Sequence, residues 1–202
     1  MKQKIVATQN TIGSIIKECI AVDGYNADLN HIDVSQVTDM GYLFYRSKFN
    51  GDISRWDTSN VTRMQEMFTF SKFNGDISNW NVSNVRTMER MFSGSVFNND
   101  ISNWNIQNLK FLYWMFEYSQ FNGDLSKWNV SQVDGMANIF KEAKFNQDIS
   151  SWKLPQGLII TEDLQRVLEN SLNIQNKKDS DLLKANIFHP PTNVCNPKAK
   201  SL

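Results

Sequence analysis

Polar and apolar positions along this chain follow two rhythms that recur together. Asp52-Ile53-Ser54-Arg55-Trp56-Asp57-Thr58 is short, extended in character and bounded by an Asn-Gly turn signal, which predicts one strand. Ser59-Asn60 then offers helix N-cap chemistry. Val61, Met64, Met67 and Phe68 follow at i, i+3, i+6 and i+7, which predicts one face of a short helix. The ends of the chain read differently. Thr11 followed by Ile12, Ile15, Ile16, Cys19 and Ile20, closing at Gly24, predicts an amphipathic helix with both caps. After the break at Lys153-Leu154-Pro155, Thr161-Glu162-Asp163 opens a second helix that carries Leu164, Val167, Leu168 and Leu172.

The strand and helix segments repeat in a register that never slips. Phe49 to Trp56 aligns with Phe73 to Trp80, Phe97 to Trp104, Phe121 to Trp128 and Phe145 to Trp152, each displaced by 24 residues. One further step back finds Tyr25-Asn26-Ala27-Asp28-Leu29-Asn30-His31-Ile32, a degenerate first copy with Ile32 in the Trp slot. Six copies therefore begin at residues 25, 49, 73, 97, 121 and 145, the last incomplete. Such a unit cannot bury its apolar edge alone, so successive copies must stack. The expected fold is a right-handed α/β solenoid of strand, turn and short helix, roughly 25–30 Å long at parallel-strand spacing. The expected organisation is an N-terminal helical cap over residues 1–24, repeats over 25–152 and a C-terminal helical cap over 153–175. A polar, partly mobile tail over 176–202 follows, with a short helix near Leu182-Leu183.

The consensus F-N-x-D-[IL]-S-x-W-[ND]-[VT]-S-[NQ]-V-x-x-M-x-x-M-F stands most fully at Phe49–Phe68 and Phe73–Phe92. It resembles the repeat of bacterial BspA-type leucine-rich-repeat surface proteins, also called the mycoplasma surface-protein repeat, over residues 25 to 152. The resemblance implies a leucine-rich-repeat-like solenoid that makes protein contacts, often at a cell surface, and it implies no catalytic residues.

Stacking turns each recurring residue into a column. Phe49, Phe73, Phe97, Phe121 and Phe145, headed by Tyr25, should form one buried aromatic column, and Trp56, Trp80, Trp104, Trp128 and Trp152 another. Asn26, Asn50, Asn74, Asn98, Asn122 and Asn146 should point inward and satisfy backbone groups at the bend. The column of Asp28, Asp52, Asp76, Asp100, Asp124 and Asp148 should cap local turns, with calcium as the sharper alternative.

Composition narrows the function. With 21 Lys+Arg against 21 Asp+Glu in 202 residues, the chain lacks the electrostatic footprint of a nucleic-acid binder. No apolar run approaches the ~20 residues of a membrane span. The stretch up to Ala21 is interrupted by Lys17 and Glu18, so it is not read as a secretory signal, and Glu18 before Cys19 does not read as a lipoprotein cleavage site. The chain as written is expected in the cytoplasm; a surface or secreted location is the alternative if it is a fragment. Cys19 and Cys195 are read as reduced bystanders. His31 and His189 are not expected in a Ser or Cys arrangement that would activate a nucleophile, and no phosphate-binding loop, dinucleotide fingerprint or His-rich metal motif occurs. The chain is therefore expected not to be an enzyme and to need no cofactor or metal.

Candidate function lies where copies differ. The slots beside the methionines are polar in two of the copies: Thr62, Arg63, Gln65 and Glu66, then Arg86, Thr87, Glu89 and Arg90. In another copy they become Lys110, Phe111, Tyr113 and Trp114, with Tyr118 where an earlier copy has Phe70 and with Tyr42 in the first. Phe111, Tyr113, Trp114, Tyr118, Phe70 and Tyr42 are thus the expected partner-binding residues, an apolar patch of the residue types that dominate binding hot spots, the alternative being that the C-terminal segment folds back and covers it. The expected partner is a protein. The chain would serve as a cytoplasmic immunity or inhibitor-type binder, or alternatively as a BspA-like adhesion or host-contact module, with a homodimer through the same patch as a third arrangement.

Overall fold

The computed structural model describes residues 2–175. Strand β1 (Ile5–Val6) pairs in parallel with β2 (Ile32–Asp33), helix α1 (Ile12–Asp23) separates them in sequence, and helix α2 (Glu162–Gln175) closes the described chain. The tail helix expected near Leu182, and with it His189 and Cys195, lies outside the described residues.

The copies stack, but not as alternating strands and helices. Residues 52–58 hold one isolated bridge at Asp52 followed by a turn, and residues 65–70 are a run of turns. The reason lies in the backbone donors, which alternate between two destinations. The N–H groups of Met40, Tyr42, Phe44 and Arg46 donate at 2.8–3.1 Å to the carbonyls of Arg63, Gln65, Met67 and Thr69 in the next copy. Those of Leu43, Tyr45 and Ser47 fold back to the carbonyls of Met40, Tyr42 and Phe44. An α-helix would direct every donor to its own preceding turn and leave none for a neighbour. The pattern recurs from Met64, Met88 and Leu112, and parallel bridges run Asp39 to Arg63 to Thr87 to Phe111 to Gly135. Asn60, read as helix-cap chemistry, instead donates its side-chain amide at 2.8 Å to the Ser35 carbonyl of the preceding copy.

This chain of turns demands backbone that L-residues avoid. Tyr42, Glu66, Arg90, Trp114 and Asn138 share one left-handed position, and Arg46, Phe70, Gly94, Tyr118 and Glu142 share a second, with φ between 53° and 64°. Only one of these ten is glycine, so the lateral hydrogen bonds hold nine side-chain-bearing residues where steric crowding disfavours them.

Two phenylalanine columns fill the interior. Phe49, Phe73, Phe97, Phe121 and Phe145 stack with ring centroids 6.1–6.3 Å apart. Phe44, Phe68, Phe92, Phe116 and Phe140 stack at 5.5–5.9 Å, and the two columns lie 4.1–4.7 Å apart within each copy. Tyr25 does not head the first column: it is 51% exposed, its phenol oxygen finding solvent instead of an apolar stack. Each buried Trp donates its indole N–H to a carbonyl of the preceding copy, Trp56 to Leu29, Trp80 to Ile53, Trp104 to Ile77, Trp128 to Ile101 and Trp152 to Leu125, at 2.9–3.1 Å. The column is thus both packing and hydrogen-bond ladder. The asparagines differ from expectation as well: Asn50, Asn74, Asn98 and Asn146 are exposed. The side-chain oxygens of Asn50, Asn74, Asn98 and Asn122 do satisfy backbone, each accepting from the backbone N–H of the next Asn in the series. At the surface they do so without burying an amide.

Both ends replace a missing copy with side chains. At the first copy, the Gln9 side-chain oxygen accepts from the N–H groups of Thr38 and Asp39. At the last, Thr161 Oγ1 accepts from Asn138, Asp163 Oδ2 from Phe140 and Ser171 Oγ from Ile149. Leu164, Val167, Leu168 and Leu172 of α2 cover the apolar end.

Trp80→Ala removes a buried ring and one of the two donors to the Ile53 carbonyl, which keeps the Trp56 N–H, and is expected to cost ~3–5 kcal/mol in urea denaturation. Asp163→Ala leaves the buried Phe140 N–H without its acceptor, and a loss of ~1–3 kcal/mol is expected by the same measurement.

Candidate functional site

The six residues singled out in the sequence lie on the face built by the chain of turns. Tyr42 and Tyr118 are each 53% exposed, Phe70 48% and Phe111 38%, while Tyr113 and Trp114 are half-buried. Backbone geometry explains part of this. Tyr42 and Trp114 occupy the first left-handed position, and Phe70 and Tyr118 the second.

The rings form two clusters. In one, Phe111 and Tyr113 stack with centroids 6.0 Å apart and Tyr113 meets Trp114 at 5.6 Å. Tyr113 lies so close over Gly135 that a methyl group there would collide with its phenol end. The guanidinium of Arg90 sits 4.4 Å from the Trp114 ring centre and 3.3 Å from a carboxylate oxygen of buried Glu117, which Lys141 approaches at 3.9 Å from the other side. In the second cluster Tyr42 meets Tyr45 edge-on at 6.0 Å, and Arg46 lies 5.4 Å from the rings of both Tyr45 and Phe70. Tyr42 donates its phenol to Glu66 at 3.1 Å, a bond that raises its pKa because the neighbouring carboxylate disfavours the phenolate. Phe70 lies over Gly94, the one glycine of its column, so the face mixes bare backbone with large rings.

Tyr45, Arg46 and Arg90 belong to this face and were not singled out in the sequence. A signal existed in the 24-residue columns, where a cation one copy from an aromatic residue is a cation beside a ring.

The aspartate column caps turns. Asp52, Asp76, Asp100, Asp124 and Asp148 each accept the backbone N–H two residues later, at 2.8–2.9 Å. The backbone N–H groups of Ser54, Ser102 and Ser126 hold Asp52, Asp100 and Asp124 below the usual carboxylate range, and the Ser59 hydroxyl and backbone do so for Asp57. Asp33 is lowered to about 2, chiefly by its hydrogen bond from Lys4.

His31 does meet a cysteine: its Nε2 lies 3.8 Å from Cys19 Sγ, because α1 packs against the first copy. Burial, then Asp23, pushes the Cys19 thiol up, which is the opposite of what a thiolate nucleophile requires. A polar depression of about 470 Å³ nearby is lined by Lys2, Lys4, His31, Asp33, Arg55 and Asp57. Lys4 is committed there to Asp33 at 2.8 Å and Arg55 to Asp28 at 3.7 Å.

A family model described as a Mycoplasma protein of unknown function, DUF285, matches residues 14–120 and again 96–180. No curated protein and no solved structure matches the chain.

Carboxylates with lowered pKa values stabilise the fold at neutral pH and lose that contribution as pH falls through their folded values. The melting temperature is expected to hold down to about pH 5 and to fall between about pH 4 and pH 2, followed by circular dichroism. Asp33→Asn should flatten the acid end of that profile.

Proposed function

We propose, for a chain that belongs to the DUF285 family of Mycoplasma proteins, the role of a non-catalytic protein–protein interaction module. One observation carries the reading: Phe70, Phe111, Tyr118 and Tyr42 stand exposed on one face, at positions that hold polar residues or glycine in other copies. Exposed aromatic residues interleaved with arginine are the composition of binding hot spots, and burying such rings on a partner removes apolar area from water without ordering long flexible side chains.

The architecture we propose beneath this face is a right-handed leucine-rich-repeat-like solenoid of BspA type. The parallel bridges at 24-residue intervals and the stacked ring columns support it. Contact with a protein is common to two settings. The resemblance of the repeat to BspA-type surface proteins favours adhesion or host contact; an immunity or inhibitor-type binder would use the same face in the cytoplasm. Fractionation of native cells separates them.

The test is capture from a lysate of the source cells by wild type and by the double variant Trp114→Ser with Tyr113→Lys, side by side. Both side chains are partly buried, Tyr113 over Gly135 and Trp114 under Arg90, so circular dichroism first checks that the variant is folded, and capture of the partner is then expected to be lost. Equal capture by both proteins would remove the aromatic face from the reading.

A further inference from the structure

The face has an order that its composition does not show. Its second left-handed column reads, copy by copy, Arg46, Phe70, Gly94, Tyr118, Glu142. Turned end for end about Gly94, the series complements itself: Arg46 comes opposite Glu142, and Phe70 opposite Tyr118. We propose that the partner of this face is a second copy of the chain, docked antiparallel about a two-fold axis that lies in the interface beside Gly94. The proposal rests on the protein-contact reading above and names its partner.

Four observations carry it. First, the column is evenly spaced by the backbone ladder, so two copies of it match in register without adjustment. Second, the terminal charges are available: Arg46 and Glu142 are exposed, and neither has an ion-pair partner among the described residues, Arg46 touching only the rings of Tyr45 and Phe70. Third, Phe70 and Tyr118 are about half exposed, so facing them across the axis removes apolar area from water twice over, as an isologous interface requires. Fourth, the centre of the column has no side chain of its own, and the Phe70 ring lies over Gly94, so the axis passes beside an aromatic ring of each chain.

The neighbouring column, Tyr42, Glu66, Arg90, Trp114, Asn138, tolerates the same operation. Reversal brings Glu66 opposite Trp114 and next to Arg90. The central Arg90 faces its own copy and pairs with Glu117, which Lys141 also approaches. A net charge of +0 means that no long-range repulsion opposes pairing of the two chains.

Sedimentation equilibrium of the full chain over a wide concentration range tests this. Wild type is expected to approach twice the 23.4 kDa mass of the chain. Arg46→Glu alone, or Glu142→Arg alone, places like charges at both ends of the interface and is expected to weaken self-association roughly ten-fold or more. The double variant Arg46→Glu with Glu142→Arg restores opposite charges and is expected to recover the dimer. Glu66 and Arg90 already occupy left-handed backbone, so the exchanged residues suit their new positions, and circular dichroism checks that each variant is folded. Wild type that stays monomeric throughout, while the lysate capture returns a different protein, overturns the second copy as partner and leaves the contact reading standing. Monomeric wild type with no captured protein overturns both. A dimer indifferent to the single charge reversals, or one that the double variant fails to restore, overturns the antiparallel register.

Discussion

The structure depends on a division of labour among backbone donors. Within each chain of turns, alternate N–H groups close a local turn and the rest reach sideways to the copy that follows. A helix would have no sideways donors, and an extended strand would have no turns, so this alternation is what lets a segment be both compact along the chain and bonded across it. The phenylalanine columns, the indole ladder and the asparagine ladder all take their spacing from it. Those side chains add burial and further hydrogen bonds to a geometry that the backbone sets.

The alternation also determines what the molecule shows to its surroundings. Residues such as Phe70, Trp114 and Tyr118 are held at positive φ, at a cost of the order of 1 kcal/mol each. Neither left-handed position contributes to the core, so their identities are free to vary from copy to copy. Tyr, Glu, Arg, Trp and Asn follow one another down one column, whereas the interior columns repeat phenylalanine without exception from Phe44 to Phe140. Constancy inside and variety outside arise from the same backbone.

Much of this was legible in the sequence, and the failures have physical causes. The 24-residue period, the indole column, the turn-capping aspartates and the aromatic substitutions around Phe111 could all be read, because each is a matter of residue identity at a fixed interval. The local conformation could not. Val61, Met64, Met67 and Phe68 bury one side of a chain of three-residue turns at nearly the spacings that bury one side of an α-helix, so the pattern cannot tell the two apart. Left-handed backbone left no trace either, since Gly94 is the one glycine among ten such positions. Tyr25 misled because its place in the register was right while its hydroxyl was not. The contact between Cys19 and His31 was invisible for a different reason: it depends on how α1 docks, which no periodicity encodes.

The caps carry a consequence for how such a chain can change over generations. Thr161, Asp163, Ser171 and Gln9 supply side-chain oxygens in place of the carbonyls of an absent neighbour, and they address groups that every copy possesses. Neither end therefore senses how many copies lie between. Unequal recombination within the repeats could lengthen or shorten the array by whole units and leave both ends sealed. A palindrome of surface residues has no such indifference: adding one unit moves its midpoint from a single residue to a gap between two. Array length, neutral for folding, would then become a heritable setting for whom the molecule can pair with.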